Sequence, residues 1–363
     1  MTIFHTYTPQ LVSIGPLHHG EPHLEFLEEE KRRYLQDFLE RTRLSVEELY
    51  KLIRGKEDTL RSCYDETIKF HSDAFVEIIL VDAAFIVELF LRGSFVEMRK
   101  TEDRIFRRSY LSLFIRFDMW LLENQIPFFI LEEIFNLQKV SSIFRASKPQ
   151  FIKLTYKFFE VFQGVNGQLG KFNGPTKKNT RKAVIAPSVI QLHNAGANFK
   201  PSERKDSFHI NFKKGTLEIL PLTPQYHTGS LFRNLIAFEQ CHCSDNYIND
   251  YVFIIHHLAN TPKDVELLVE KQIIENWLPD KEGASTLLND LSNVTTLNPD
   301  HFYFSDLCEE MENYRAKSCN KWRAILIQNY FSTPWATLSL FAAVFLILLT
   351  VIQAVTSVLQ VTN

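Results

Sequence analysis

The end of the chain constrains it most. Residues 324–363 carry no charged side chain, and within them Trp335 through Leu359 form a nearly continuous apolar run. A membrane-crossing helix needs about 20 predominantly apolar residues, each rising ~1.5 Å. The run therefore predicts one transmembrane helix over 335–359. Thr337, Ser339, Thr350, Thr356 and Ser357 can return a hydrogen bond to a carbonyl one turn back, and Gln353 lies near the far end. Thr333 and Pro334 supply a cap and a first-turn proline, and Tyr330, Phe331 and Trp335 sit at interface level. Arg315, Lys317, Lys321 and Arg323 precede the run and no Lys or Arg follows it. By the positive-inside rule the expectation is a single-pass protein with the bilayer as partner and its body in the cytosol. No basic-then-apolar leader opens the chain, so the expected insertion route is post-translational.

The body before the tail, about 320 residues, is long enough for one large domain or two intimate ones. Charged residues are 23% and hydrophobic ones 45%, which supports a substantial core rather than disorder. The 31 Phe belong to that core when they recur at helical spacing. A net charge of −3 excludes a surface built wholesale for nucleic acid. The five cysteines, Cys63, Cys241, Cys243, Cys308 and Cys319, are odd in number and scattered, which is not a disulfide framework. Asn293-Val-Thr295 matches a glycosylation acceptor that a cytosolic body would leave unused.

Periodicity makes the body mainly α: a large helical domain over 1–329 with one small β-hairpin. Leu24, Leu27, Tyr34, Leu35 and Phe38 predict a helix over 21–41, and Ser45 with Glu48 forms a capping box for a second over 45–53. The run 73–91 is strongly apolar yet contains Glu77, Asp82 and Glu88, which makes it a core helix rather than a second span. Asp82, set among Ile79, Leu80, Phe85 and Ile86, requires a partner, and Arg107, Arg108 or Arg116 is the expected one. A helix from 111 to about 123 breaks before Pro127, and Asp118, Glu123, Asn124 and Gln125 cluster at the break. Another helix is expected over 149–162. Residues 164–182 are rich in Gly and Asn and hold Lys171, Lys177, Lys178, Arg181 and Lys182; they read as an exposed loop and the one internal boundary. Ser188 with Gln191 opens a short helix that Gly196 closes. Alternation over 208–219 around Lys213-Lys-Gly215 predicts the hairpin. Helices over 228–241 and 248–259 follow, then one capped by Thr261-Pro-Lys-Asp264, then a long helix over 305–328 leading to the tail over 330–363.

Chemistry is thin. Cys241-His-Cys243, even with His256 and His257, lacks the spacing and second ligand pair of a structural zinc site. There is no nucleophile elbow, no dinucleotide-binding glycine motif and no P-loop, so no catalytic residue, cofactor or metal is assigned. Asp82, Asp118 and Glu123 remain as a candidate buried polar network, although a spacing of five between the last two suits one helix face poorly.

Several runs together resemble one plant-specific family, that of domain of unknown function 247. They are Val12-Ser-Ile-Gly-Pro-Leu-His-His-Gly20, Ala84-Phe-Ile-Val-Glu-Leu-Phe-Leu91, Asp118-Met-Trp-Leu-Leu-Glu-Asn-Gln-Ile-Pro-Phe-Phe-Ile130 and Ser230-Leu-Phe-Arg-Asn-Leu-Ile-Ala-Phe-Glu-Gln-Cys-His242, with 264–278 and 330–344. The resemblance spans nearly the whole chain. It implies a large helical body with a C-terminal membrane anchor and no established enzymatic activity, and a role of some members in cell recognition during plant reproduction leans towards interaction. Relatives usually begin further upstream of Tyr7-Thr-Pro-Gln10, which implies a shortened front.

Three functional expectations follow. The first is a membrane-tethered interaction or signalling protein with an unidentified protein partner and no nucleic acid. The second is a hydrolase or transferase using Asp82, Asp118 or Glu123 with a histidine. The third is a purely structural membrane protein.

Overall fold

A long apolar stretch of the body forms the Ser72–Ser94 helix, buried on almost every face from Phe75 to Arg92. A helix apolar all round belongs inside, and its acids must then meet cations. Three of its four acids meet one on the Glu25–Thr42 helix, Glu77 with Arg32 at 3.2 Å, Asp82 with Lys31 at 2.5 Å and Glu88 with Arg41 at 2.8 Å, while the fourth, Asp73, meets Arg54. This computed structural model describes residues 7–144, 148–159, 185–203, 208–225, 227–275, 282–330 and 334–362. The chain divides into two units, Met1–Phe172 with Gln225–Ile248, and Asn173–Pro224 with Asn249–Asn363.

In the first unit the core helix is surrounded by Glu25–Thr42, Val46–Arg54, Phe128–Asn136 and Phe151–Phe159. Phenylalanine fills the space between them, with Phe90 and Phe158 ring centroids 4.9 Å apart and Phe135 and Phe151 5.1 Å apart. Ser45 and Glu48 form the expected capping box. Arg92, 1% exposed, lies over the Tyr34 ring and bonds Glu88, Asp103 and Asp37, while Arg41 also holds Glu88 and Lys100 holds Asp37. Three cations thus balance three acids, which is what burial of such a cluster demands. Arg116 is not the partner expected for Asp82. Its Nε donates to the Phe158 carbonyl at 2.7 Å, closing the Phe151–Phe159 helix, and burial lowers its pKa to about 10.

The helix expected to reach about residue 123 stops at Asp118. Side-chain amides take over its last carbonyls: Asn124 donates to the Asp118 carbonyl at 3.0 Å, and Gln125 to those of Met119 and Leu121 at 2.5 and 3.0 Å. A helix end whose orphan carbonyls are met this way needs no further turn.

In the second unit the hairpin is β2 (Ile210–Lys213) and β3 (Thr216–Ile219), joined by Lys214 and Gly215 at φ 51° and 77°. Two positive φ values are what a two-residue hairpin turn requires. An unforeseen strand, β1 (Asn198–Pro201), pairs parallel to β3, so the sheet order is β1-β3-β2. The Ser188–Gln191 and Thr261–Asp264 capping boxes are both present, and Asp264 Oδ1 also accepts the Ile190 N–H at 2.9 Å, tying the two helix starts together.

Two expectations about the tail are corrected. The long helix over 305–328 is two helices, Ser305–Ala316 and Ser318–Tyr330, because Lys317 adopts an extended ψ of 134°. More consequentially, among the described residues no helix is long and apolar enough to cross a membrane. The terminal helix spans Pro334–Thr362, but its side chains are described at 338–339 and 341–355. The expected span, the single-pass topology and the cytosolic orientation deduced from it are therefore not supported. The Trp335 and Leu359 side chains, and the basic loop 164–182, lie outside the described residues.

Of the four cations expected to flank a membrane, Arg315 pairs with Glu312 at 2.7 Å and Lys317 faces the Tyr314 ring at 5.9 Å. Lys321 is exposed, and the Arg323 guanidinium lies against Gly196, whose φ is 95°.

Candidate functional site

Residues 9–21 run to the first helix without forming a strand or helix of their own until Pro22. Their backbone polar groups must nevertheless be satisfied where they are buried. Side chains from distant positions do this in sequence. Asp118 accepts the Gln10, Leu11 and Val12 N–H groups at 3.0, 2.6 and 2.9 Å. Asn124 donates to the Val12 carbonyl at 2.9 Å and accepts the Ile14 N–H at 2.7 Å. Lys31 donates to the Ser13 carbonyl at 2.8 Å, and Asp82 accepts the Gly15 N–H at 2.7 Å. Val12, Ser13 and Ile14 are all at most 2% exposed.

The three candidate acids are thus strung along one strap. Asp82 and Asp118 are buried beneath it, at 1% and 4% exposure, while the Glu123 side chain is 54% exposed at its far end. Burial raises the pKa of Asp82, against the pull of Lys31. Burial likewise raises that of Asp118, against the three backbone donors. Glu123 Oε2 lies 3.7 Å from His18 Nε2, and His18 Nδ1 sits 2.7 Å from Glu21 Oε1. His19 meets the Phe70 ring edge-on. Gly15, at φ 79°, is required here: a Cβ would come within 2.5 Å of the Gln125 carbonyl.

Chemically the arrangement grips a peptide backbone. Both carboxylate oxygens of Asp82 and of Asp118 are occupied, by Lys31 and Gly15 in one case and by three amides in the other. The roles of Lys31 and Asn124 carry no local signal, since Lys31 sits 51 residues from Asp82 and Asn124 110 residues from Ile14. Among the described residues no group of three or more His, Cys, Asp or Glu could hold a metal ion. Cys241 and Cys243 are free and exposed, and His257 bonds the Phe253 carbonyl.

The second unit carries an open cleft of about 710 Å³. One wall is the hairpin turn, with Phe212, Lys214 and Gly215; the other is the Ser305–Ala316 helix, with Glu310, Asn313 and Tyr314, and Lys317 just beyond. Tyr314 packs edge-on against Phe212, at 5.4 Å between centroids. It also lies so close to Gly215 that a Cβ there would come within 2.8 Å of its ring. The wall is polar and mixed in charge, with an aromatic floor.

Comparison with known proteins places the chain. It matches the family described as plant protein of unknown function, DUF247, over residues 4–173 and 166–349. It is 30% identical over 400 residues to UPF0481 protein At3g47200 of Arabidopsis thaliana, covering 98% of this chain and 84% of that protein. Putative UPF0481 protein At3g02645 of the same plant is 21% identical over 465 residues, covering 96% and 86%. The chain belongs to this plant family of unknown function. No solved structure matches it.

Proposed function

We propose that the chain is a protein-interaction module, and that the cleft on the second unit holds a segment of its partner. The observation that carries this reading is the open cleft of about 710 Å³ between the Lys214-Gly215 turn and the Ser305–Ala316 helix. It offers what a recognised side chain needs: an aromatic floor at Phe212 and Tyr314, and acids and lysines at the rim. The carboxylates that could have served catalysis, Asp82 and Asp118, are engaged with Lys31 and with backbone amides. That favours binding over carboxylate chemistry at those positions.

A photo-crosslinking residue in place of Asn313, in the full-length chain expressed in plant cells, tests this. The expected result is capture of a discrete partner that is lost when Glu310→Lys is added, with the melting temperature unchanged. Capture that is indifferent to Glu310→Lys, or capture of no discrete partner, overturns it.

A further inference from the structure

We infer that Arg116 and Arg99 form a binding site for a phosphate dianion, either free or carried on a phosphorylated side chain. The site lies within the first unit and does not rest on the cleft of the second. It starts from a contrast between two buried arginines. Arg92, 1% exposed, meets the carboxylates of Glu88, Asp103 and Asp37. Arg116, 9% exposed, meets no carboxylate among the described residues. A buried charge is costly unless an opposite charge answers it. The charge that Arg116 does feel is another cation: Arg99 adds to burial in lowering its pKa to about 10.

Helix ends balance only part of this charge. Arg116 Nε donates to the Phe158 carbonyl at 2.7 Å, at the end of the Phe151–Phe159 helix. Arg99 Nε donates to the Arg92 carbonyl at 2.7 Å and Lys157 Nζ to that of Ser94 at 2.9 Å, both at the end of the Ser72–Ser94 helix. A helix C-terminus carries roughly half an elementary negative charge, so two ends offset about one of the three cations. A dianion neutralises the remainder. Donors are left for it. Arg116 stacks on the Phe158 ring and Arg99 on the Phe106 ring, each at 4.3 Å from the centroid. Gly93 faces both rings: a Cβ there would come within 2.9 Å of Phe158 and 3.8 Å of Phe106. Stacking fixes the planes of the guanidiniums and leaves their edges to donate, in the fork that matches phosphate oxygens. Arg99 commits only its Nε, and Arg116 Nη2 makes no bond among the described residues. Ser112, 5% exposed, accepts from Arg116 Nη1 at 2.7 Å and keeps its own O–H to give.

Arginine Nε–H resonances of the full-length protein, followed at about pH 8 where phosphate groups are dianionic, test the inference. Inorganic phosphate and N-acetyl-phosphoserine amide are titrated separately at constant ionic strength, with chloride as the control. The expected result is that Arg116 and Arg99 shift together along one saturating curve while Arg92, already held by carboxylates, does not. The tighter of the two ligands identifies the source. Arg99→Gln removes one anchor at the half-buried edge and leaves Arg116 in place, so the fold should be kept and binding weakened about tenfold. Shifts that chloride reproduces or that do not saturate, saturation that leaves both arginines unmoved, or an Arg99→Gln protein that titrates like the unaltered one, overturn it.

Discussion

Lys31 and Asp82 meet at 2.5 Å with 0% and 1% of their side chains exposed, and each also holds the backbone of the strap above them, at Ser13 and Gly15. Removing Lys31 strands the buried Asp82 carboxylate, and removing Asp82 leaves the buried Lys31 ammonium with Glu28, at 2.5 Å, as its one remaining carboxylate among the described residues. Lys31→Ala or Asp82→Ala should therefore cost about 3–5 kcal/mol in urea unfolding, whereas the paired change Lys31→Met with Asp82→Leu should cost clearly less than the two single changes summed. Single losses of under about 1 kcal/mol, the range of exposed pairs, would contradict the buried arrangement.

Asp118 answers three consecutive amides, so its loss should be felt locally. Asp118→Ala leaves those donors without an acceptor at about 1–3 kcal/mol for each one that stays buried. Hydrogen exchange at Gln10, Leu11 and Val12 should accelerate far more than exchange in the Ser72–Ser94 helix. Asp118→Asn, which keeps an acceptor oxygen, should fall between.

Asp250 is 4% exposed and accepts the Tyr303 N–H at 2.8 Å and the Asn249 side-chain amide at 3.1 Å. Burial pushes its carboxyl up from the usual 3.8 to about 6. Between those values the folded chain binds the proton more tightly than the unfolded one. Its contribution to stability is therefore greatest below about pH 4 and falls as pH rises to about 6, by roughly 3 kcal/mol. Asp250→Asn should flatten that slope in urea titrations run from pH 4 to 7.

At the hairpin turn, Gly215→Ala places a methyl 2.8 Å from the Tyr314 ring at a φ of 77°. The substitution should destabilise the second unit by more than about 1 kcal/mol. Gly20→Ala has open space around the new methyl and meets only the backbone cost of its φ. Thermal melts of the two variants should therefore separate, with Gly215→Ala the lower.

What is legible in the sequence is local. The three capping boxes, at Ser45, Ser188 and Thr261, need residues only three apart, and each is present. The Lys214-Gly215 hairpin and the Ser72–Ser94 core helix declare themselves by period. Long-range pairing does not. Proximity in sequence points Asp82 to arginines, whereas Lys31 lies across a helix packing that periodicity does not encode. Helical spacing is the wrong measure for Asp118 and Glu123, because the helix ends at Asp118 and the rule has no purchase on the turn beyond. The break at Lys317 has neither proline nor glycine to announce it. Apolar length alone suggests a span in the tail, and the described helix does not sustain that reading.

The strap also imposes a timetable on the chain's birth. Gln10 leaves the ribosome 108 residues ahead of the Asp118 that will hold it. At about 5–20 residues per second, it waits roughly 5–20 s before its acceptor has been made. Through that interval Val12 and Ile14, later wholly interior, travel uncovered. The strap is thus made before every side chain that holds it, and it cannot be completed until Asn124 has followed.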